Sequence, residues 1–160
     1  SDFQASTAEL EIRYGSGQWE GFQCERLIKP ELRLYCSLES AKKLRRPADV
    51  VHFDLLDVFG TPKGWREWCE QHNTALTAAN AVQYMDSHAT AATMAANGMG
   101  LCLLYDALAA EGVLAQQLIS PFSEALETQG SYYLCYPSGK VLSTGARCFA
   151  DWLLEESDRD

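Results

Sequence analysis

Three consecutive polar residues, Asp86, Ser87 and His88, follow the apolar stretch AVQYM and precede a run of small residues. The pattern predicts a strand over 81–86 and then a helix that begins at the polar residues and ends at Asn97-Gly98. The first turn of a helix carries unpaired amides and the positive end of the helix dipole, so this corner could bind an anion or a carboxylate. The same residues could instead be a simple N-cap that only satisfies amides of its own helix.

A second corner lies in the segment RYGSGQWEG, where a predicted strand runs out into Gly15, Ser16 and Gly17. The glycines do not have the spacing of a dinucleotide-binding fingerprint, and no helical pattern follows them. Backbone could approach a small ligand closely here, or the segment could be a tight turn. A third candidate is the segment SYYLCYP, in which Tyr132 could place a phenol at a cleft or fill a half-buried strand face.

Catalytic and metal-binding patterns are not found. The sequence contains no G-x-S-x-G, H-E-x-x-H or P-loop motif, and its three histidines are scattered at 52, 72 and 88. Asp54 and Asp57 lie three apart on a predicted strand, so they face opposite sides of it and do not form a carboxylate pair. We therefore expect no enzyme active site, no metal and no cofactor.

Six cysteines lie at positions 24, 36, 69, 102, 135 and 148, with no C-x-x-C pair among them. Several fall inside apolar runs, which is typical of buried, reduced thiols in a cytoplasmic protein. A thiol redox sensor would need an accessible cysteine near positive charge, with a second cysteine to resolve it. Only Cys24, beside Arg26, approaches that description.

Short apolar runs alternate with helical patterns along the chain, which predicts an α/β fold with a largely parallel sheet. The predicted strands are 10–15, 32–37, 54–58, 81–86, 100–105 and 131–137. The predicted helices open at Ser37, at Thr61 with Pro62 in the first helical position, at the 86–88 corner, at Asp106, and in the closing segment STGARCFADWLLEE.

Composition limits the class of protein. At 160 residues, 47% hydrophobic and 22% charged, the chain is globular and long enough for one domain or two small lobes. Its net charge of −9 disfavours direct contact with a phosphate backbone. No apolar run approaches the ~20 residues of a membrane span, and the first residues lack the pattern of a signal peptide.

Several segments, taken in order, resemble one family. EIRYGSGQW and ERLIKPELRLYCS are similar to the middle of the effector-binding domain of LysR-type transcriptional regulators, in the branch of glycine-cleavage activators and β-lactamase regulators. RRPADVVHFDLLDV, GWREWCEQHN, MDSHATAATMAANGMGLCLLYDALAAEGVLAQQLISPF and the ending YYLCYPSG…ARCFADWLLEE follow the family's patterns in the same order. The resemblance covers nearly the whole chain.

The resemblance implies two Rossmann-like subdomains of the type II periplasmic-binding-protein kind, with a ligand cleft between the lobes. It implies that 28–118 form regulatory subdomain II, and that 1–27 and 119–160 form part of subdomain I. The winged helix-turn-helix domain and the first part of the effector domain are expected to lie outside this chain, so that subdomain I is incomplete.

The resemblance also implies a site and a mechanism. The effector-binding residues carried over are Tyr14, Gly15, Ser16, Gly17, Asp86, Ser87, His88 and Tyr132. His88 departs from the family pattern, in which a second small hydroxyl residue is common. An effector that prefers one arrangement of the lobes would shift the population of a cytoplasmic dimer or tetramer, and DNA would be bound through a domain not present in this chain, with no membrane partner.

Three other classes stay open. One is a solute-binding module of the same fold, against which the absent signal peptide argues. Another is an enzyme that uses cysteine or histidine chemistry in the cleft. The third is a thiol redox-sensing regulator of the same family.

Overall fold

The chain folds as two units, and the second interrupts the first. The structure is a computed structural model that describes residues 8–76 and 82–158. One unit is Ser1–Pro30 together with Gln129–Asp160, and the other is Glu31–Thr128. The predicted strand position 81 lies outside the described residues.

Eight strands and five helices make up the described elements. The strands are β1 Glu11–Gly15, β2 Phe22–Ile28, β3 Glu31–Tyr35, β4 Leu55–Val58, β5 Val82–Met85, β6 Leu101–Tyr105, β7 Leu126–Glu127 and β8 Ser131–Pro137. The helices are α1 Leu38–Ala41, α2 Trp65–Gln71, α3 His88–Ala96, α4 Asp106–Ala109 and α5 Thr144–Ser157, with 3₁₀ turns at Pro47–His52 and Val113–Gln116.

The first unit is an antiparallel sheet in the order β1-β8-β2, with α5 alongside. In the register of this sheet, Tyr14 lies opposite Tyr132 and Cys24 lies opposite Cys135. The sequence analysis did not predict β2, because its Glu25 and Arg26 interrupt the apolar pattern. Both side chains are exposed in this edge strand, so the charges carry no burial cost.

The second unit is a five-stranded sheet in the order β5-β4-β6-β3-β7. β4 runs parallel to β5 and β6, whereas β3 runs antiparallel to β6 and β7. The expectation of a largely parallel sheet was therefore wrong: half of these pairings are antiparallel, as are both pairings of the first unit. Alternation of strands and helices cannot give the direction in which β3, the first strand of its unit, joins the sheet.

The α/β fold class itself is confirmed, and the two faces of the second sheet carry two hydrophobic clusters. Leu55 belongs to the cluster with Trp65 and Trp68 of α2, and the neighbouring Leu56 belongs to the cluster with Ala91 of α3. This division follows from the alternation of side chains along a strand. Trp65 and Trp68, three positions apart on α2, are fully buried on the same face of this helix.

Two helix boundaries differ from those predicted. α2 begins after Gly64, not after Thr61, because the Asp57 carboxylate and the Glu67 side chain accept the first amides of this helix. The helix predicted from Asp106 ends after one turn, since Gly112 has a φ of 63° and a 3₁₀ turn follows it. Within 8–76 and 82–158, none of the helices has the length and hydropathy that a bilayer span requires.

Candidate functional site

The start of α3 is built as the sequence predicted. Ser87 is the N-cap, with extended backbone, and its side-chain oxygen accepts the Thr90 backbone N–H at 3.2 Å. The Thr90 hydroxyl donates to Asp86 Oδ1 at 3.0 Å and lies 3.0 Å from Ser87 Oγ. Ser87 is thus the N-cap of α3, and the hydroxyl and carboxylate groups of Asp86, Ser87 and Thr90 are joined by hydrogen bonds.

The cap leaves part of the helix start available. Within the described segments, the His88 and Ala89 amides have no protein hydrogen-bond acceptor. Asp86 is exposed at this point, and Ser87 and His88 are half-buried. Two donors at the positive end of a nine-residue helix are a suitable place for a carboxylate.

The His88 side chain at this corner is half-buried and lies against an aromatic ring. Its ring centroid lies 5.2 Å from that of Tyr105 at the end of β6. Burial lowers the pKa of His88, and the nearby Asp57 charge opposes that shift. The imidazole is therefore held in its neutral form at neutral pH.

Asp57, near the end of β4, was not expected to belong to a site. Its carboxylate accepts the Val58 amide at 3.1 Å and the Trp65 amide at 3.4 Å. Burial raises the pKa of Asp57, and the two amides and His88 act against that rise while Glu67 adds to it. The role of Asp57 depends on where α2 packs, which a single sequence does not reveal, although its place at a strand end was a signal.

A cavity of about 230 Å³ opens beside Asp57 at the carboxyl ends of β4 and β5. Phe59 and Tyr84 stack at its edge with ring centroids 5.0 Å apart, and both are largely exposed. The buried Thr61 hydroxyl has no hydrogen-bond partner within the part of the chain that is described. The lining residues are Asp57, Val58, Phe59, Gly60, Thr61, Pro62, Gly64, Trp65, Arg66, Glu67, Leu76, Val82 and Tyr84.

The other predicted site residues lie together in the first unit. Tyr14 and Tyr132 are cross-strand partners whose ring centroids are 5.1 Å apart, and both rings are about four-tenths exposed, at 43% and 42%. Gly130 leaves room for the Tyr14 ring, because a Cβ there would lie 2.8 Å from its Cζ. The pair presents two phenols side by side on the sheet.

The loop after β1 packs under a different tyrosine. Gly17 has a φ of 89°, and a Cβ there would lie 2.6 Å from the Tyr133 ring. The Tyr133 hydroxyl donates to the Ser16 carbonyl at 3.4 Å. These contacts make the loop a tight turn, so glycine at position 17 is required by the local packing.

The structure thus brings Tyr14, Gly15, Ser16, Gly17 and Tyr132 together in the first unit, and Asp86, Ser87 and His88 together in the second. Across residues 8–76 and 82–158, no three side chains of the metal-ligating types cluster.

Two α/β units, the second inserted into the first and each with its polar corner, define a domain of the type II periplasmic-binding-protein-like class. The chain belongs to the LysR family, because the family model for the LysR substrate binding domain matches residues 3–158.

Known proteins with similar sequences are transcriptional regulators. The chain is 28% identical over 151 residues to the HTH-type transcriptional activator AmpR of Citrobacter koseri, covering 94% of this chain and 52% of that protein. It is 29% identical over 162 residues to the glycine cleavage system transcriptional activator of Escherichia coli, covering 98% and 52%. The chain therefore spans about half the length of the curated relatives it matches.

A solved structure has the same fold. The effector domain of the transcriptional regulator AmpR of Pseudomonas aeruginosa superposes with a TM-score of 0.72 at 26% identity, covering 99% of this chain and 76% of that one. The resemblance to the LysR family, and to its branch of glycine-cleavage activators and β-lactamase regulators, is confirmed.

Proposed function

We propose that this chain senses a small-molecule effector for a bacterial LysR-type regulator, and that the effector anchors a carboxylate at the start of α3. The observation that carries the proposal is the helix corner itself. Ser87 fixes the first turn, and among the described residues the His88 and Ala89 amides have no protein acceptor. A carboxylate there would receive two backbone hydrogen bonds and the favourable field of the helix dipole.

We propose that the unit Glu31–Thr128 is regulatory subdomain II, for which the sequence analysis expected 28–118. The unit Ser1–Pro30 with Gln129–Asp160 is proposed to be part of subdomain I, expected at 1–27 and 119–160. The Tyr14–Tyr132 pair supports a polar second contact for the effector, because both phenols are partly exposed. The glycines of the 15–17 loop would shape the wall beside that pair. An effector that touches both subdomains would favour one arrangement of them over another.

The proposed output is a change in transcription without any chemical step. The relatives are named as transcriptional activators, and their greater length leaves room for a winged helix-turn-helix domain. We propose that the full-length protein is a cytoplasmic homo-oligomer, a dimer or tetramer, that binds DNA through that domain. The chain's net charge of −9 supports a role away from the DNA.

A thermal-shift screen tests this proposal. The probes are glycine, other amino acids and peptides with a free carboxylate, each compared with its amide derivative. We expect at least one carboxylate to raise the melting temperature, its amide to have a smaller effect, and Ser87→Ala to reduce the shift. Shifts that are equal for acid and amide, and unchanged in Ser87→Ala, would contradict the proposed anchor.

A further inference from the structure

A pair of cysteines in the first unit lies outside the site described above. Cys24 on β2 and Cys135 on β8 are directly opposite each other in the antiparallel register. Residues in such positions have Cα atoms about 4.5 or 5.5 Å apart. A disulfide spans Cα separations of about 4.4 to 6.8 Å, so the register satisfies the Cα-distance condition for one.

The two thiols are close enough to influence each other. Burial raises the pKa of Cys135 to about 12, and the neighbouring Cys24 thiol adds to the rise. Cys135 is fully buried, whereas Cys24 is partly exposed. Cys24 is therefore the sulfur that a small oxidant can reach, and Cys135 is the sulfur placed to resolve it.

An ion pair lies beside the two cysteines. Arg13 on the neighbouring strand β1 lowers the pKa of the Cys135 thiol and Glu11 raises it, so the two charges act in opposite directions. The Arg13 guanidinium lies 3.9 Å from the centre of the Phe22 ring and pairs with Glu11 at 2.7 Å. An accessible cysteine with a second cysteine opposite it is the arrangement that disulfide-forming redox sensors use.

The other cysteines lack this combination. Cys36 and Cys102 are fully buried in the second unit, and their thiols donate to backbone carbonyl groups of Ile119 and Tyr35. Cys69 on α2 is buried in the cluster with Trp65 and Trp68, and Cys148 is exposed on α5.

We propose that Cys24 and Cys135 form a dithiol that hydroperoxides convert to a disulfide. Cys24 first releases its proton, and its thiolate then attacks the peroxide. The O–O bond breaks, Cys24 becomes a sulfenic acid, and the departing alkoxide, or hydroxide from hydrogen peroxide, takes up the released proton and leaves as an alcohol or water. The Cys135 sulfur then attacks the Cys24 sulfur, the S–O bond breaks, and the departing hydroxide takes the Cys135 proton to give water. Two thiols lose two electrons in total, and one hydroperoxide is reduced by two.

The disulfide would cross-link the strands on either side of the inserted unit. β2 is the last strand before Glu31–Thr128, and β8 is the first strand after it. The closed loop would contain the whole second unit, which is a large restriction of the unfolded chain. This dithiol would operate whether or not the effector site proposed above exists.

The test uses the chain carrying Cys148→Ser, which removes the exposed thiol that could link two molecules. After treatment with hydrogen peroxide and removal of the excess, we expect a loss of two free thiols, restored by dithiothreitol. Peptide mapping should recover one cross-linked pair that contains positions 24 and 135. The oxidised protein should unfold at a higher urea concentration than the reduced one.

Two variants complete the test. Cys24→Ala changes a partly exposed residue and should leave the protein folded, with no two-thiol loss on peroxide treatment. Cys135→Ala should leave Cys24 as a sulfenic acid that a dimedone probe captures. The proposal would be overturned if peroxide left the Cys24 and Cys135 thiols free in the native protein, if the disulfide joined another pair, or if Cys24→Ala lost two thiols as before.

Discussion

The Ser87 side-chain oxygen lies 3.2 Å from the Thr90 backbone nitrogen, and this single hydrogen bond defines where α3 begins. It satisfies the Thr90 amide, the third of the helix, and leaves the amides of His88 and Ala89 without this acceptor. A capping interaction and an open anion site are therefore compatible at one corner, because they use different amides.

Replacing Ser87 tests both roles of the corner. We expect Ser87→Ala to lower the free energy of unfolding by about 1 kcal/mol, since the Thr90 amide loses its acceptor. Urea unfolding measures this loss, and effector-induced thermal shifts measure binding. Ser143→Ala is the control, because Ser143 caps α5 by accepting the Ala146 amide at 3.2 Å, although its hydroxyl also donates to Glu9 at 2.6 Å. It should lose comparable stability and keep the effector response; equal loss of response in both variants would contradict a site at α3.

The exposed phenol of Tyr132 offers a change that spares the fold. We expect Tyr132→Phe to alter the free energy of unfolding by less than about 0.5 kcal/mol. If its hydroxyl contacts the effector, the affinity should fall by roughly fivefold, since a hydrogen bond is worth about 1 kcal/mol. Tyr136→Phe is the control, because Tyr136 lies on the same strand, near its other end, with its ring 5.9 Å from the Arg147 guanidinium. Titration calorimetry with the compound found by the screen should show the loss for Tyr132→Phe alone.

The burial of His88 predicts a dependence of stability on pH. The pKa of His88 is lowered in the folded chain, so protonation favours the unfolded state, whose histidine titrates near pH ~6.5. The contribution of neutral His88 is fully present above that pH and is lost as the pH falls through the lower folded-state pKa. We expect His88→Gln to lose less stability than the parent chain between pH 7.5 and pH 5 in urea unfolding. Asp57 has a raised pKa and the opposite sign, but it titrates in both proteins, so the difference between them reports on His88. Identical pH profiles would refute the assigned environment.

The Asp57 carboxylate lies so close to Gly64 that a side chain at position 64 should destabilise the fold. A Cβ at Gly64 would lie 2.5 Å from Asp57 Oδ2, so we expect Gly64→Ala to cost about 1–3 kcal/mol of unfolding free energy. Gly145→Ala is the matched control in α5, where a Cβ meets nothing within 4 Å. That variant should be neutral or stabilising by up to about 1 kcal/mol. A Gly64→Ala protein as stable as its parent would show that Asp57 does not hold the start of α2.

The elements that the sequence predicted well carry their signals locally. α3 has a serine cap and an Asn-Gly ending, and β4 and β6 are short apolar runs. β2 was missed because an edge strand tolerates charge, and β7 is only two residues long. The start of α2 was misplaced because Asp57, seven residues before Gly64, decides it through a tertiary contact.

The difference between local sequence signals and tertiary contacts also explains which parts of the candidate site could be predicted. The capping role of Ser87 follows from three residues in sequence and could be predicted. Asp57 and the cavity beside it depend on how β4, β5 and α2 come together, and no local pattern encodes that meeting. The Cys24–Cys135 pair likewise depends on the register of β2, a strand that the sequence analysis did not predict.

The most direct test of the central claim is a titration followed by backbone amide signals in nuclear magnetic resonance. The labelled chain is titrated with the carboxylate ligand that the screen identifies, and the Ser87→Ala variant is titrated in parallel. The account predicts that the His88 and Ala89 amides shift most strongly within the second unit, and that the variant binds at least about tenfold more weakly. Saturable binding that leaves the signals of 86–90 unchanged would contradict it.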